Sequence, residues 1–201
     1  MLFIIFGIRI EITFLFIAFI AFILTLKAPS NVLITIVSSL IHESGHLLVM
    51  LASGNKPQKV RFELTGINII RNQDISISNR NEILISLGGP LANAIVFILC
   101  CAYLCFQSND TILTFACINL ILMTFNLLPV KRLDGGNALY YFLLKKHDIS
   151  FSLKVIYITS VFFIFLIFVW GIYIFIASKY NISVIIIAIF LTLSLFSNNE
   201  Y

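Results

Sequence analysis

The sequence predicts an α-helical polytopic membrane protein, with about six transmembrane helices and a small β-hairpin or sheet at the membrane interface. Three observations predict it. Hydrophobic residues make up 60% of the 201-residue chain and mean hydropathy is +1.06, well above the roughly 45–50% apolar content of an ordinary soluble domain. The apolar residues gather in long runs divided by short polar connections. Two brief stretches instead alternate apolar with polar side chains.

The first alternating stretch is Ile8-Arg9-Ile10-Glu11-Ile12-Thr13-Phe14, whose period of two suits a strand better than a helix. Apolar segments follow over 14–26 and 32–51. The next connection holds the second alternating run, Lys59-Val60-Arg61-Phe62-Glu63-Leu64, then Gly66 and the isoleucines Ile67, Ile69, Ile75 and Ile77. This reads as a hairpin or small sheet onto which the N-terminal strand pairs. Open sheet edges are not tolerated in lipid, so the sheet belongs at the interface or inside protein. Four more apolar segments cover 83–106, 112–128, 153–177 and 182–196, the first and last of the six being short for a span of roughly 20 residues. The expected organisation is one domain over 1–201, with the N-terminal strand in 1–13, a transmembrane core over 14–197, and no appended CBS or PDZ domain.

With six spans, the connections sort their charges. Arg9, Lys56, Lys59, Arg61, Arg71, Arg80, Lys131, Arg132, Lys145, Lys146 and Lys154 fall on one side, eleven in all, against Lys27 and Lys179 on the other. The positive-inside rule places the rich side and both termini in the cytoplasm. That asymmetry accounts for the net charge of +4 without a nucleic-acid partner. Ala28-Pro29-Ser30 makes a poor cleavage site and no basic region precedes the first apolar run, so no signal peptide is expected. Cys100, Cys101, Cys105 and Cys117 lack the spacing of a zinc knuckle and read as small hydrophobes. The aromatic run of the fifth segment, including Phe162, Phe165, Phe168 and Trp170, reads as a lipid-facing or packing surface.

Against this background the stretch SSLIHESGHLLVM (38–50) stands out, because it sets two histidines and a glutamate inside an apolar run. Ionisable groups at membrane depth are costly and mark function. His42, Glu43 and His46 form H-E-x-x-H. On a helix, positions four apart lie one above the other, so both imidazoles reach one metal, and Glu43 stands beside them as a base for a water activated by that metal. The pattern is that of a zinc hydrolase. The plainer reading makes the histidines polar glue between helices.

A catalytic zinc takes a third protein ligand. His147 lies in the polar cluster Lys145-Lys146-His147-Asp148, which looks like a solvated loop; Asp134, in NLLPVKRLDGG (126–136), is the better candidate. The alternative is that Asp134 caps the next helix, expected over 135–144. The second and fourth segments both run toward the cytoplasm, which brings His42, His46 and Asp134 to one layer. Asn126 either donates a hydrogen bond to the developing oxyanion or substrate backbone, or makes an ordinary interhelical hydrogen bond. In GGPLAN (88–93), Gly88, Gly89, Pro90 and Asn93 read as structural, with small residues allowing close helix approach.

HESGH in a membrane helix, GGPLAN in the next and NLLPVKRLDGG after the fourth resemble the site-2 protease family (peptidase M50) of intramembrane zinc metalloproteases. The resemblance covers nearly the whole chain. It implies one Zn²⁺ on His42, His46 and Asp134, with Glu43 and Asn126 in catalysis. The six-span plan, the N-terminal strand and the NLLP…LDGG wording are most similar to the stage IV sporulation protein FB group. That resemblance implies a membrane-tethered pro-sigma factor as substrate, regulatory membrane partners, and a bacterial cell or forespore membrane with the active site toward the cytoplasm. The competing classes are a membrane metal-ion transporter, with the same residues holding an ion in transit, and an inactive protease-like binding protein. Glu43 argues against the first, which has no need of a base.

Overall fold

The computed structural model describes residues 2–5, 8–13, 30–55, 57–63, 66–70 and 78–196. The chain divides into two compact units, 1–125 and 126–201. Among the described residues the first unit opens with two strands, β1 (Leu2–Ile5) and β2 (Ile8–Ile12), followed by helix α1 (Ser30–Ala52), strands β3 (Lys59–Glu63) and β4 (Gly66–Ile70), and helices α2 (Asn79–Leu104) and α3 (Asp110–Asn126), the last of which ends at the unit boundary. The second unit holds α4 (Asp134–Leu143), α5 (Ile149–Ser178) and α6 (Ser183–Phe196).

The alternating runs form the sheet they predict, in the order β1-β2-β3-β4. β2 lies parallel to β3 with Arg9 opposite Lys59 and Glu11 opposite Arg61, and β3 is antiparallel to β4 with Val60 opposite Ile69. The N-terminal strand therefore joins the central hairpin, as expected. β1, antiparallel to β2, adds a fourth strand that the sequence does not announce. Glu11 binds the sheet electrostatically: its carboxylate accepts from Lys59 and from Arg61 Nε at 2.9 Å. These two cations, Lys59 first, hold its pKa below the ordinary 4.5. Ile75 and Ile77 lie outside the described residues, as does the expected span over 14–26.

Helices α1, α2 and α5 are long and apolar enough to cross a membrane, while α3 and α6 are shorter apolar helices. The protein is thus mostly helical with a small sheet, and it is a membrane protein. Their ends carry recognisable signals. Ser78 caps α2 by accepting from Asn81 N–H, and Asn109 caps α3 by accepting from Thr111 and Ile112 N–H at 2.9 and 3.1 Å. Lys179, with φ 66°, closes α5 in the left-handed conformation.

In the first unit α1 packs on α2 through small residues. A Cβ on Gly45 would lie 2.3 Å from the Gly88 carbonyl oxygen, and one on Gly88 would lie 2.7 Å from that of Gly45, so the two backbones touch where only glycine fits. In the second unit α5 and α6 pack side by side, with Gly171 against Ile185. Phe162, Phe165, Phe168 and Trp170 are exposed, which makes that surface of α5 lipid-facing. The four cysteines are free thiols, with only Cys100 buried.

Candidate metal centre

The helix that the apolar run 32–51 predicts sets His42 and His46 one turn apart on the face of α1 that meets α2. His42 is 6% exposed and His46 half-buried. The rings meet edge to face with centroids 4.9 Å apart, and their Nε2 atoms stand 3.2 Å from each other.

The outward nitrogens decide the tautomers. His42 Nδ1 lies 2.9 Å from Asn93 Oδ1, and His46 Nδ1 lies 2.7 Å from the Ile85 carbonyl oxygen. Both oxygens only accept, so each Nδ1 carries the proton and donates it. Gly89 N–H also approaches His46 Nδ1 at 3.3 Å. The shorter contact to Ile85 governs, because a protonated nitrogen cannot accept. With each Nδ1 proton donated outward, the two Nε2 atoms face one another at 3.2 Å, in position to share one cation.

The space beside them fits a metal ion as well. A Cβ at Gly89 would lie 2.4 Å from His46 Nε2 and 2.6 Å from His42 Nε2. Glycine at this position therefore leaves open a cradle over both lone pairs that even a methyl group would fill. Pro90, the next residue, lacks a backbone N–H and leaves its turn of α2 with one helical bond fewer.

Behind His42 runs a buried amide chain that the sequence does not reveal. Asn93 Nδ2 donates to Asn119 Oδ1 at 3.0 Å and approaches the Ser38 carbonyl at 3.5 Å; Asn119 Nδ2 donates to Ser38 Oγ at 3.0 Å and to the Phe115 carbonyl at 2.8 Å. Ser38, Asn93 and Asn119 are all 0% exposed. With its NH₂ committed to acceptors on α1 and α3, Asn93 has its oxygen turned to His42, which fixes ring orientation and proton position together. Asn93 is thus more than a packing residue. The available signal was an asparagine within each apolar run, which in a membrane helix calls for a partner. Glu43 sits half-buried on the same turn as His42.

Asn126 and Asp134 belong to the second unit. Asn126 ends α3, and Asp134 begins α4. The turn between them is tightly built. Cβ atoms on Gly135 and Gly136 would lie 2.1 Å from the Leu127 carbonyl oxygen and 2.0 Å from that of Val130, so the loop backbone rests directly on the helix start. Arg132 takes φ 73°, Val130 is fully buried, and Lys131 N–H donates to Ser160 Oγ on α5 at 2.8 Å. Asp134 is not the cap: Leu133 occupies that position without a side-chain capping bond, and α4 starts one residue earlier than expected. The Asp134 carboxylate is therefore held in a rigid first turn, where the helix dipole favours its charge. His147 is exposed, its ring against Phe151 at 4.4 Å, in keeping with a solvated loop.

A histidine pair one helical turn apart with a flanking glutamate, set in membrane helices, is the H-E-x-x-H arrangement from which metal-binding helices are built. Residues 15–133 match the model of the Peptidase M50B-like family, and the chain belongs to that family. It is 32% identical over 166 residues to a zinc metalloprotease of Methanocaldococcus jannaschii, covering 77% of this chain and 48% of the relative. The chain thus spans about half the length of that curated relative. It also resembles the solved structure of a site-2 protease from Methanocaldococcus jannaschii, with a TM-score of 0.66 and 25% identity, covering 99% of this chain and 94% of the other.

Proposed function

We propose that the protein is an intramembrane zinc endopeptidase that hydrolyses a peptide bond in or near a membrane-associated segment of a substrate protein. The observation that carries this reading is the facing pair of Nε2 atoms beneath Gly89, with both Nδ1 atoms turned to outward acceptors. In this reading Asp134 is the third ligand, for a two-imidazole, one-carboxylate donor set that suits zinc. These residues would hold zinc, which would supply Lewis-acid polarisation of the scissile carbonyl and acidify a water toward neutral pH. Glu43 takes the proton of the attacking water and delivers it to the leaving amine. Asn126 donates from its amide to the developing oxyanion.

In this reading 1–201 is one protease domain with six spans, the first over 14–26, and the lysine-rich connections and the active site face the cytoplasm. The substrate is membrane-tethered and is presented unwound. The sheet bears on how. β3 is paired on both sides, so it has no edge to offer, whereas β4 has a partner only in β3 among the described residues. The substrate strand accordingly adds to β4. The motif wording favours the sporulation protein FB group, with a pro-sigma factor as substrate in a bacterial cell or forespore membrane and with membrane partners that regulate access.

The deciding experiment measures zinc content and cleavage of a membrane-tethered test protein together, in wild type and Glu43→Gln. Retention of roughly one zinc with cleavage lowered by about 10²–10⁴-fold is expected. A wild type that binds zinc and cleaves nothing would move the protein to the transporter or binding class.

A further inference from the structure

Away from the histidines, the second unit carries a groove of about 450 Å³ between α5 and α6, walled by Tyr157, Ile164, Phe165 and Phe168 on one side and Leu193 and Phe196 on the other. Its wall is almost wholly apolar. The hydroxyl of Thr192, which also lines it, is already bonded to the Ala188 carbonyl at 2.7 Å. Beside the groove lies a pocket of about 340 Å³ lined by Lys131, Leu153, Lys154, Ile156 and Tyr157. Tyr157 is common to both, so the two cavities adjoin.

We propose that the groove and pocket together hold one anionic phospholipid, an acyl chain along α5 and α6 and the phosphate on Lys131 and Lys154. Three features favour this occupant. Both cations sit at one end and the apolar wall runs from there, which is the polarity of a lipid. From Tyr157 to Phe168 the wall advances eleven residues, ~16 Å at the helical rise, which matches one leaflet of a hydrocarbon core roughly 30 Å thick. At the cationic end the Lys131 backbone is fixed: its N–H donates to Ser160 Oγ at 2.8 Å, and Ser160 is itself 0% exposed. Basic pockets beside transmembrane helices recognise acidic headgroups in this way.

The test uses the full chain in bilayer nanodiscs. Trp170 is the single tryptophan, so the double variant Trp170→Phe, Phe165→Trp places one fluorophore in the groove wall. Phosphatidylglycerol or phosphatidylcholine with brominated acyl chains is then titrated into unbrominated phosphatidylcholine. Brominated phosphatidylglycerol should quench at several-fold lower mole fraction than brominated phosphatidylcholine, and adding Lys131→Gln and Lys154→Gln should abolish the difference. Unchanged quenching by phosphatidylcholine in that variant reports that the helix pair is intact. Equal quenching by both lipids in the parent, a preference that survives loss of both lysines, or no quenching by either because a peptide helix or a second copy fills the groove would each overturn the proposal.

Discussion

Two helix pairs in this protein, α1 with α2 and α5 with α6, meet the same apolar surroundings and solve packing differently. Between α1 and α2 the backbones touch at Gly45 and Gly88, and polar side chains bond across the contact, His42 to Asn93 and His46 to the Ile85 carbonyl. In α5 and α6 the hydroxyls of Ser152, Thr192 and Ser194 bond back to carbonyls of their own helix or cap. Lipid gives helices no hydrophobic reason to associate, so close packing and interhelical hydrogen bonds must hold them. Here those bonds concentrate around the two imidazoles. The three hydroxyls of α5 and α6 bond locally instead of to each other's helix, and a groove lies between the two helices.

The change that breaks this contrast most severely is Gly89→Ala. Its methyl would stand within 2.6 Å of both Nε2 atoms, so the imidazoles must shift and the place for a shared ion is lost. Zinc content should fall from roughly one per chain to none, with the helical circular-dichroism spectrum unchanged. Normal zinc in the alanine variant would show that the cradle over the histidines is not where the ion sits.

The amide chain predicts a graded effect. Asn93→Leu removes the acceptor for His42 Nδ1–H and should weaken zinc binding by about 10–100-fold. Asn119→Leu acts at one remove from the histidine, through Asn93 and Ser38, so a loss on the order of threefold is expected. Nitrogen-15 chemical shifts of the zinc-free protein separate aiming from mere packing: the His42 proton should leave Nδ1 for a tautomeric mixture in Asn93→Leu and remain in place in Asn119→Leu. Equal zinc affinities in all three proteins would reduce the chain to ordinary interhelical glue.

This gradation also marks how far the sequence could be read. H-E-x-x-H declares its own geometry, because positions four apart on a helix coincide whatever surrounds them, and hydropathy locates α1, α2, α3, α5 and α6. Period-two alternation finds β2, β3 and β4. It misses β1, since Leu-Phe-Ile-Ile is a continuous apolar run that fits helix and strand alike. The tautomers were out of reach for a different reason. Asn93 is 51 residues from His42, and Asn119 is 26 from Asn93; an isolated asparagine in an apolar run says that a partner exists without saying which. Asp134 shows the same boundary, since the carboxylate next to two glycines was legible, but that Leu133 rather than Asp134 is the cap depends on backbone angles.

The two pairs should differ again when serines are removed. Ser160 Oγ accepts from Lys131 N–H besides donating to the Ile156 carbonyl at 2.7 Å, whereas among the described residues Ser194 Oγ bonds within its helix, to Leu191. Ser160→Ala removes the acceptor of a part-buried backbone donor and should lower stability by about 1–3 kcal/mol. Ser194→Ala should change it by less than about 0.5 kcal/mol. Denaturation in mixed detergent micelles measures both. Equal values would mean that the turn before α4 does not depend on α5.

The smallest effect lies outside the membrane helices, in the sheet, where charge rather than aiming is at issue. Lys59 and then Arg61 lower the Glu11 pKa below 4.5. A carboxyl depressed on folding contributes stability that is fully present above its unfolded pKa and is lost as pH falls through the lower folded value. The β2–β3 pairing should therefore hold constant from neutral pH down to about 4.5 and weaken only below it, most steeply through the depressed folded pKa. Glu11 is solvent-accessible, so salt should shrink the effect. Amide exchange of β2 and β3, corrected for the intrinsic pH dependence of exchange, would register the loosening, and Glu11→Gln should abolish it. Loosening that persists in Glu11→Gln would assign the pH response to another group and leave the Lys59–Glu11–Arg61 cluster without influence on the pairing.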